Sequence, residues 1–111
     1  MARQTRPLTT LKHTCGNTAQ DLGDVTDYLA QVTVGAIKRN VTKVTITCET
    51  YGIRYSFTST PTVDGGTAVG HVLAAGGTLT LDGNKFCTDL NFINKVSGSN
   101  AVLQITPEVN I

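Results

Sequence analysis

The sequence predicts one small all-β domain, either an antiparallel β-sandwich or a jelly-roll-like barrel of about seven strands. Three observations favour this class. The 111 residues include nineteen threonines, and the apolar content rests mainly on valine, isoleucine and leucine, so residue types enriched in strands dominate. Several segments alternate apolar and polar residues with a period of two. Turn signals rich in glycine, asparagine and aspartate separate these segments at intervals of about 8–12 residues.

The N-terminal segment differs from the rest of the chain. It shows neither helical nor alternating periodicity over a useful length, and it carries Arg3, Arg6 and Lys12 without a single acidic residue. We therefore expect residues 1–20 to form an extended, mildly basic arm and residues 21–111 to form the β-sandwich.

The clearest alternation lies on the two sides of the dipeptide Tyr51-Gly52. Before it, the run 42–48 places valine, isoleucine and cysteine on one face and threonine and lysine on the other. After it, Ile53, Tyr55 and Phe57 share one face. Two alternating runs joined by so short a connection predict a β-hairpin, with Tyr55 in its buried phase.

The remaining elements follow from the same periodicity. Residues 21–29 predict a helical turn or a loop that leads into the first strand, and Asp82-Gly83 predicts a turn. Further strands are predicted at 31–38, 68–73, 78–81, 86–96 and 101–106, the last of them ended by Pro107.

Composition excludes several classes of protein. The net charge of +1 and the 15% of charged residues do not fit an acidic or basic disordered tail. No apolar run approaches the roughly 20 residues of a membrane span, and we expect no signal peptide. The three cysteines, Cys15, Cys48 and Cys87, are an odd number at long spacings, so we expect reduced thiols, with Cys48 and Cys87 in the core.

The motifs do not predict an enzyme. The glycine-rich segment 64–71 has His71 where a phosphate-binding loop requires lysine, so we interpret it as a flexible turn. His71 and His13 are the only histidines, and no local signature joins either of them to Cys48 or Cys87 as a base and a nucleophile. The sequence therefore predicts no catalytic residue, no cofactor site and no metal site.

The predicted arm is the best candidate for a contact with a partner. Its basic and apolar residues, Arg3, Arg6, Leu8, Leu11 and Lys12, are the predicted partner-binding positions. Nucleic-acid binding is not favoured, because the arm has no aromatic ring on which a base would stack. A protein partner fits better, since an extended arm adds a strand to a neighbouring sheet through its main chain.

Five segments in the second half of the chain carry a resemblance to a known class. They are Ile53-Arg54-Tyr55, Thr60-Pro61-Thr62, Gly70-His71-Val72-Leu73, Gly76-Gly77-Thr78-Leu79 and Ala101-Val102-Leu103-Gln104-Ile105-Thr106. This series of strands and turns resembles small β-rich virion proteins of tailed bacteriophages, over about 60% of the chain from residue 44 to 109.

The resemblance implies a non-enzymatic structural protein. The expected function is capsid decoration, in which a cement protein binds the major capsid protein, or another virion protein, and stabilises the head shell. It also implies a homo-oligomer, most often a trimer, that assembles in the host cytoplasm and ends on the capsid surface. A tail or head-tail connector protein is the alternative. A small carbohydrate-binding β-domain is a further one, which would need an exposed ring among Tyr28, Tyr51 and Tyr55.

Overall fold

Strands form most of the regular structure in the computed structural model, which describes residues 5–34, 37–38, 40–65 and 67–110. In these residues the strands are β1 (Thr5–Pro7), β2 (Leu11–Thr14), β3 (Gln20–Asp21), β4 (Thr33–Val34), β5 (Ile37–Lys38), β6 (Val41–Thr50), β7 (Ile53–Ser56), β8 (His71–Leu73), β9 (Thr78–Asp82), β10 (Asn91–Asn94) and β11 (Val102–Asn110). The helical elements are a 3-10 turn (Leu22–Asp24), α1 (Tyr28–Val32) and α2 (Asn84–Asp89).

Two antiparallel sheets confirm the predicted β-sandwich. Sheet 1 has the order β1-β11-β6-β9, and β2 also pairs with β11 beside β1. Sheet 2 has the order β3-β10-β7-β8, and β4 and β5 form a separate two-stranded hairpin. The strands β6 and β11 form the centre of sheet 1, where valine, isoleucine and leucine alternate with threonine, glutamine and charged residues.

One buried cluster lies between the sheets and joins them into a single unit. Sheet 1 supplies alternate side chains of β6 and β11, as the period-two pattern predicts. Sheet 2 supplies Ile53 and Phe92, both fully buried. Cys48 and Cys87 are buried as predicted, and so is Cys15, so small sulfur-bearing side chains fill part of a core that has few aromatic rings.

The predicted hairpin around Tyr51-Gly52 is wrong. β6 pairs with β11 and β9 in sheet 1, whereas β7 pairs with β10 and β8 in sheet 2. Tyr51 and Gly52 both adopt positive φ, 64° and 83°, and carry the chain from one sheet to the other. A Cβ atom on Gly52 would lie 3.0 Å from the carbonyl oxygen of Leu73, so this crossing requires glycine.

The predicted strand 86–96 is only partly present. Residues 84–89 form α2, and the strand is limited to β10. Gly83, at a φ of 104°, ends β9 and directs the chain into the helical turns that bury Cys87. Leu90 and Phe92 are buried as the alternation predicts, but Val96 is 43% exposed.

The segment 31–38 is also not a continuous strand. Its first residues complete α1, which buries Tyr28 and Val32, and its described remainder contributes to the short β4–β5 hairpin. Residues 35 and 36 of this prediction lie outside the described residues.

Pro107 does not end the last strand, because β11 continues to Asn110. The Pro107 carbonyl accepts the Leu8 N–H at 2.8 Å. In an antiparallel ladder the N–H and C=O of one residue point to the same neighbour, so the N–H that proline lacks would point towards the N-terminal strand. That strand is interrupted at this point, since β1 ends at Pro7 and β2 begins at Leu11.

Candidate functional site

The residues of the predicted arm lie on the sheet of their own chain. β1 and β2 pair with β11, which places residues 5–14 at one border of sheet 1. Leu11 is buried and Leu8 packs against the core, whereas Arg6 and Lys12 are exposed. Arg3 lies outside the described residues. The two leucines predicted to contact a partner are therefore used in the fold of this chain, and the cationic side chains remain at the surface.

An ion cluster fixes the long connection between β7 and β8. The Asp64 carboxylate accepts from Arg54 Nε and Nη2 at 2.8 and 2.7 Å and from Lys95 Nζ at 2.6 Å. Its backbone N–H also donates to the Lys95 carbonyl at 2.6 Å. Hydrogen bonds from Lys95 and then from Arg54 lower the pKa of Asp64 below its usual range. The cluster thus holds the middle of the loop against sheet 2.

Three of the five segments that carry the resemblance, 53–55, 60–62 and 70–73, meet beside this cluster; the five are called the phage-like segments for that resemblance alone. Arg54 of the Ile-Arg-Tyr segment donates from Nη1 to the Gly70 carbonyl at 2.9 Å. Gly70 has a φ of 121°, and a Cβ atom there would lie 3.2 Å from Arg54 Cβ, Pro61 Cβ and the Tyr55 carbonyl oxygen. Local folding therefore explains arginine, proline and glycine at these positions, because a side chain at Gly70 would be strained by the positive φ and would crowd the other two segments.

Tyr55 and His71, from two of the same segments, face a different surface. They are register partners on β7 and β8, and their ring centroids lie 5.5 Å apart. Tyr55 also meets Phe57 edge-on at 6.0 Å, and Phe57 meets Phe86 edge-on at 5.2 Å. Phe86 begins this row of rings at the surface, with 52% of its side chain exposed. The rings belong to β7, β8, the start of the loop after β7, and α2.

These rings line an open cavity of about 370 Å³ between β9 of sheet 1 and the β7–β8 pair of sheet 2. We call it the aromatic groove, and its lining residues are Tyr55, Phe57, His71, Leu79, Thr80, Leu81, Asp82 and Phe86. An apolar body with a few polar groups is typical of a binding site. Thr80 and Asp82 of β9 and the His71 ring are the polar residues of this lining.

The groove does not bring together a base and a nucleophile. Cys48 and Cys87 do not line it with His71. Both thiols are buried, and burial raises the pKa of Cys48 and raises that of Cys87 to about 11. A thiol of this kind is mostly protonated at neutral pH, so neither is an activated nucleophile.

Sequence reasoning missed the groove because its members are far apart in the chain. It considered His71 only as a base and assigned Tyr55 to the core, although Tyr55 is only half-buried. Of the three tyrosines, Tyr28 is buried and Tyr51 alone is exposed. The available signal is the presence of two ring-bearing residues, Tyr55 and His71, in two of the phage-like segments. The packing around Gly70 does not require either of these side chains.

Comparisons with known proteins add no assignment. No family model matches the sequence, and a search of curated proteins finds no relative. Within the described ranges, no group of three or more histidine, cysteine, aspartate or glutamate side chains is placed to hold a metal ion. The described part of the chain also has no helix long and apolar enough to cross a bilayer.

Proposed function

We propose that this protein is a non-enzymatic structural protein of a bacteriophage virion that decorates the head shell and stabilises it. The observation that carries the proposal is the convergence of the phage-like segments. Arg54, Pro61 and Gly70 come from three of them: Arg54 donates to the Gly70 carbonyl, and Gly70 lies directly beside both Arg54 and Pro61. Similar residues that form one structural unit support a common origin with the virion proteins more strongly than the same residues scattered over the surface would.

The surface of the molecule is consistent with such a role. The outer face of sheet 1 is polar without a strong charge, because cross-strand neighbours such as Thr45 and Thr80, or Thr45 and Thr106, carry hydroxyl groups. The aromatic groove adds an apolar site at the open side of the sandwich. A decoration protein requires contact surfaces of this kind, and many copies on one lattice make weak contacts effective.

Copy number on purified particles tests the proposal. Quantitative mass spectrometry of particles from the phage that encodes the protein should find on the order of hundreds of copies, since decoration follows the lattice of the shell. A tail or connector protein would give about 6 to 12 copies, the number in a small closed ring. Absence from purified particles would refute both assignments.

The role of the N-terminal border requires a separate test. Truncation through residue 20 would remove Leu11 and Cys15, which are buried in the core, and would damage the fold. Charge reversal at the exposed positions, Arg6→Glu with Lys12→Glu, leaves the backbone and the core in place. If this border contacts the shell, the double variant should lose occupancy on particles, whereas the single reversal Lys85→Glu on α2, which gives up only the exposed ion pair with Asp89, should not. Full occupancy of the double variant would exclude the cationic side chains from the contact.

A further inference from the structure

The borders of the two sheets differ in how well they are protected against pairing with another strand. On sheet 1, the β1–β2 border is interrupted opposite Pro107 and carries an exposed Lys12. On sheet 2, β3 has two residues and β8 has three. Short strands, breaks and lysines are the devices by which proteins prevent pairing at an edge.

β9 has none of these devices. It is a five-residue strand, Thr-Leu-Thr-Leu-Asp, at the other border of sheet 1, with no proline, no lysine and a regular register against β6. Threonine and leucine alternate in it, so its outer face is polar and its inner face borders the aromatic groove. A regular edge of this length, with Asp82 at its end as the one charged residue, is a template for an added strand.

The hydrogen bonds on either side of β9 define which of its main-chain groups are free. The Gly83 N–H donates to the Thr42 carbonyl at 2.7 Å, and the Cys48 N–H donates to the Gly77 carbonyl at 3.0 Å. Because bonded and non-bonded pairs alternate in an antiparallel ladder, the odd-numbered residues of β9 direct their N–H and C=O groups towards β6. The corresponding groups of Thr78, Thr80 and Asp82 therefore point away from the sheet.

We propose that β9 of a second copy pairs with this edge, antiparallel, about a two-fold axis at Thr80. The register follows from the free groups. Thr80 pairs with Thr80 of the second copy, and Thr78 pairs with Asp82 of the second copy on each side of the axis. All three outward-pointing residues are then paired, with about six main-chain hydrogen bonds between the copies. The edge is complementary to itself, as a two-fold interface requires.

Side chains agree with this register. On the groove side, Leu79 lies opposite Leu81 of the second copy, so the two grooves join and cover Leu79 and the half-exposed Phe86. On the outer face, two threonines meet at the axis. The Asp82 carboxylate lies opposite a threonine and not opposite its own copy, so the pairing brings no like charges together.

A second copy fits this edge better than a sugar. The neighbouring rings of the aromatic groove meet edge to face, with interplanar angles of 74° and 77°, and do not present one flat platform. The strand edge beside them offers main-chain groups in a row, which another strand satisfies in full. The inference concerns the protein in solution and does not depend on the proposed virion role.

Two lysine substitutions with the same change of charge test the register. Thr80→Lys places two ammonium groups opposite each other at the axis, whereas Thr78→Lys places an ammonium group opposite Asp82 of the second copy. Both threonines are exposed, so neither change disturbs the core. Sedimentation velocity over a range of concentrations should show a dimer for the wild type and for Thr78→Lys. For Thr80→Lys the dissociation constant should rise by about fivefold or more.

Mixing variants provides the complementary test. Thr80→Lys and Thr80→Glu should each associate weakly alone, because each places like charges at the axis, and an equimolar mixture should recover the dimer as a heterodimer. Circular dichroism and unfolding midpoints establish that both variants are folded. A monomeric wild type at all concentrations, the mass of a trimer, or equal behaviour of Thr78→Lys and Thr80→Lys would overturn the proposal.

Discussion

Asn94 is the one polar residue that is fully buried among the described residues, and it offers the sharpest test of how the fold is held together. Its Nδ2 donates to Asn100 Oδ1 at 2.9 Å and to Asn17 Oδ1 at 3.3 Å, and its Oδ1 accepts the Ala101 N–H at 3.0 Å. One amide on β10 thus connects the segment after β2 to the turn that precedes β11.

The substitution Asn94→Ala removes all three of these hydrogen bonds. Each bond contributes about 1 kcal/mol net, but Asn17 and Asn100 are exposed, so water replaces part of what they lose. Ala101 is fully buried, and its N–H is left without an acceptor at a cost of about 1–3 kcal/mol. We therefore expect a loss of about 2–4 kcal/mol, a large share of the roughly 5–15 kcal/mol that stabilise a domain of this size.

Equilibrium unfolding in urea measures this loss by linear extrapolation to water. The matched control is Asn84→Ala, which removes a single bond from Nδ2 to the Val41 carbonyl at an exposed residue and should cost about 0.5–1.5 kcal/mol. An Asn94→Ala variant that is no less stable than Asn84→Ala would refute the reasoning.

The isosteric change Asn94→Asp separates the hydrogen bonds from the loss of volume. The carboxylate keeps the acceptor for Ala101 but faces the oxygens of Asn17 and Asn100 without a donor. Burial favours the protonated acid and so raises its pKa in the folded state above the unfolded value of about 3.9. A group whose pKa is higher in the folded state than in the unfolded state destabilises the fold as it loses its proton. The loss of unfolding free energy relative to the wild type should therefore be smaller near pH 4 and should grow as the pH rises towards 7.

Three further outcomes are expected. Gly70→Ala should lower the free energy of unfolding by about 2–4 kcal/mol, because Gly70 has a positive φ and close neighbours. Gly16→Ala is the control and should change the free energy of unfolding by less than about 1 kcal/mol, because the space around Gly16 is open. Urea unfolding of both variants measures the difference. Asp64→Asn should be less stable than the wild type at pH 7, because the fold lowers the pKa of Asp64 and so stabilises its charged form. The difference in stability should shrink as the pH falls below about 4 and Asp64 becomes protonated. Unfolding midpoints measured at pH 7 and below about pH 4 test this. The native thiols should resist a disulfide reagent at pH 8 and react once unfolded, because burial raises the pKa of the Cys15 thiol to about 12 and so leaves very little of the reactive thiolate. A native thiol that reacts as fast as free cysteine would contradict this reasoning.

The sequence predicts the strands whose pattern is local and fails where pairing between distant segments decides the structure. The alternation is regular over residues 44–48 of β6 and 102–109 of β11, because one face of each strand is buried, and both strands are found. The dipeptide Tyr51-Gly52 fits either a hairpin or a crossing between sheets. Pairing of β6 with β11, more than fifty residues away, selects the crossing.

The helix α2 shows a second limit. Phe86 and Leu90 fit the period of a strand and the four-residue spacing of a helix equally well. Gly83 at positive φ and the burial of Cys87 decide for the helix and leave Phe86 half-exposed. The N-terminal segment shows the same limit, since β1 and β2 are too short to show a period, and only their pairing with β11 makes them strands.

The candidate site depends even more on distant pairing. Tyr55 and His71 are separated by a long loop and become neighbours through the register of β7 and β8. Local sequence patterns do not predict which residues of β7 and β8 pair. The ion pair between Arg54 and Asp64 helps to set this pairing by holding the loop between these strands, so the residues that build the site and the residues that line it are different.

The segments 53–55, 60–62 and 70–73 therefore contain residues of two kinds, those that hold the fold together and those that line the groove. Gly70 lies beside Arg54 and Pro61 and accepts a hydrogen bond from Arg54, and substitution of these residues should lower stability. Tyr55 and His71 come from two of the same segments but line the open groove beside β9, where the fold alone does not explain two neighbouring rings tilted by 41°. If the groove and the β9 edge form the contact with other chains, Tyr55→Ala or His71→Ala should weaken association more than it lowers the unfolding midpoint. The same short segments would then contribute residues both to the fold and to the surface that contacts other chains.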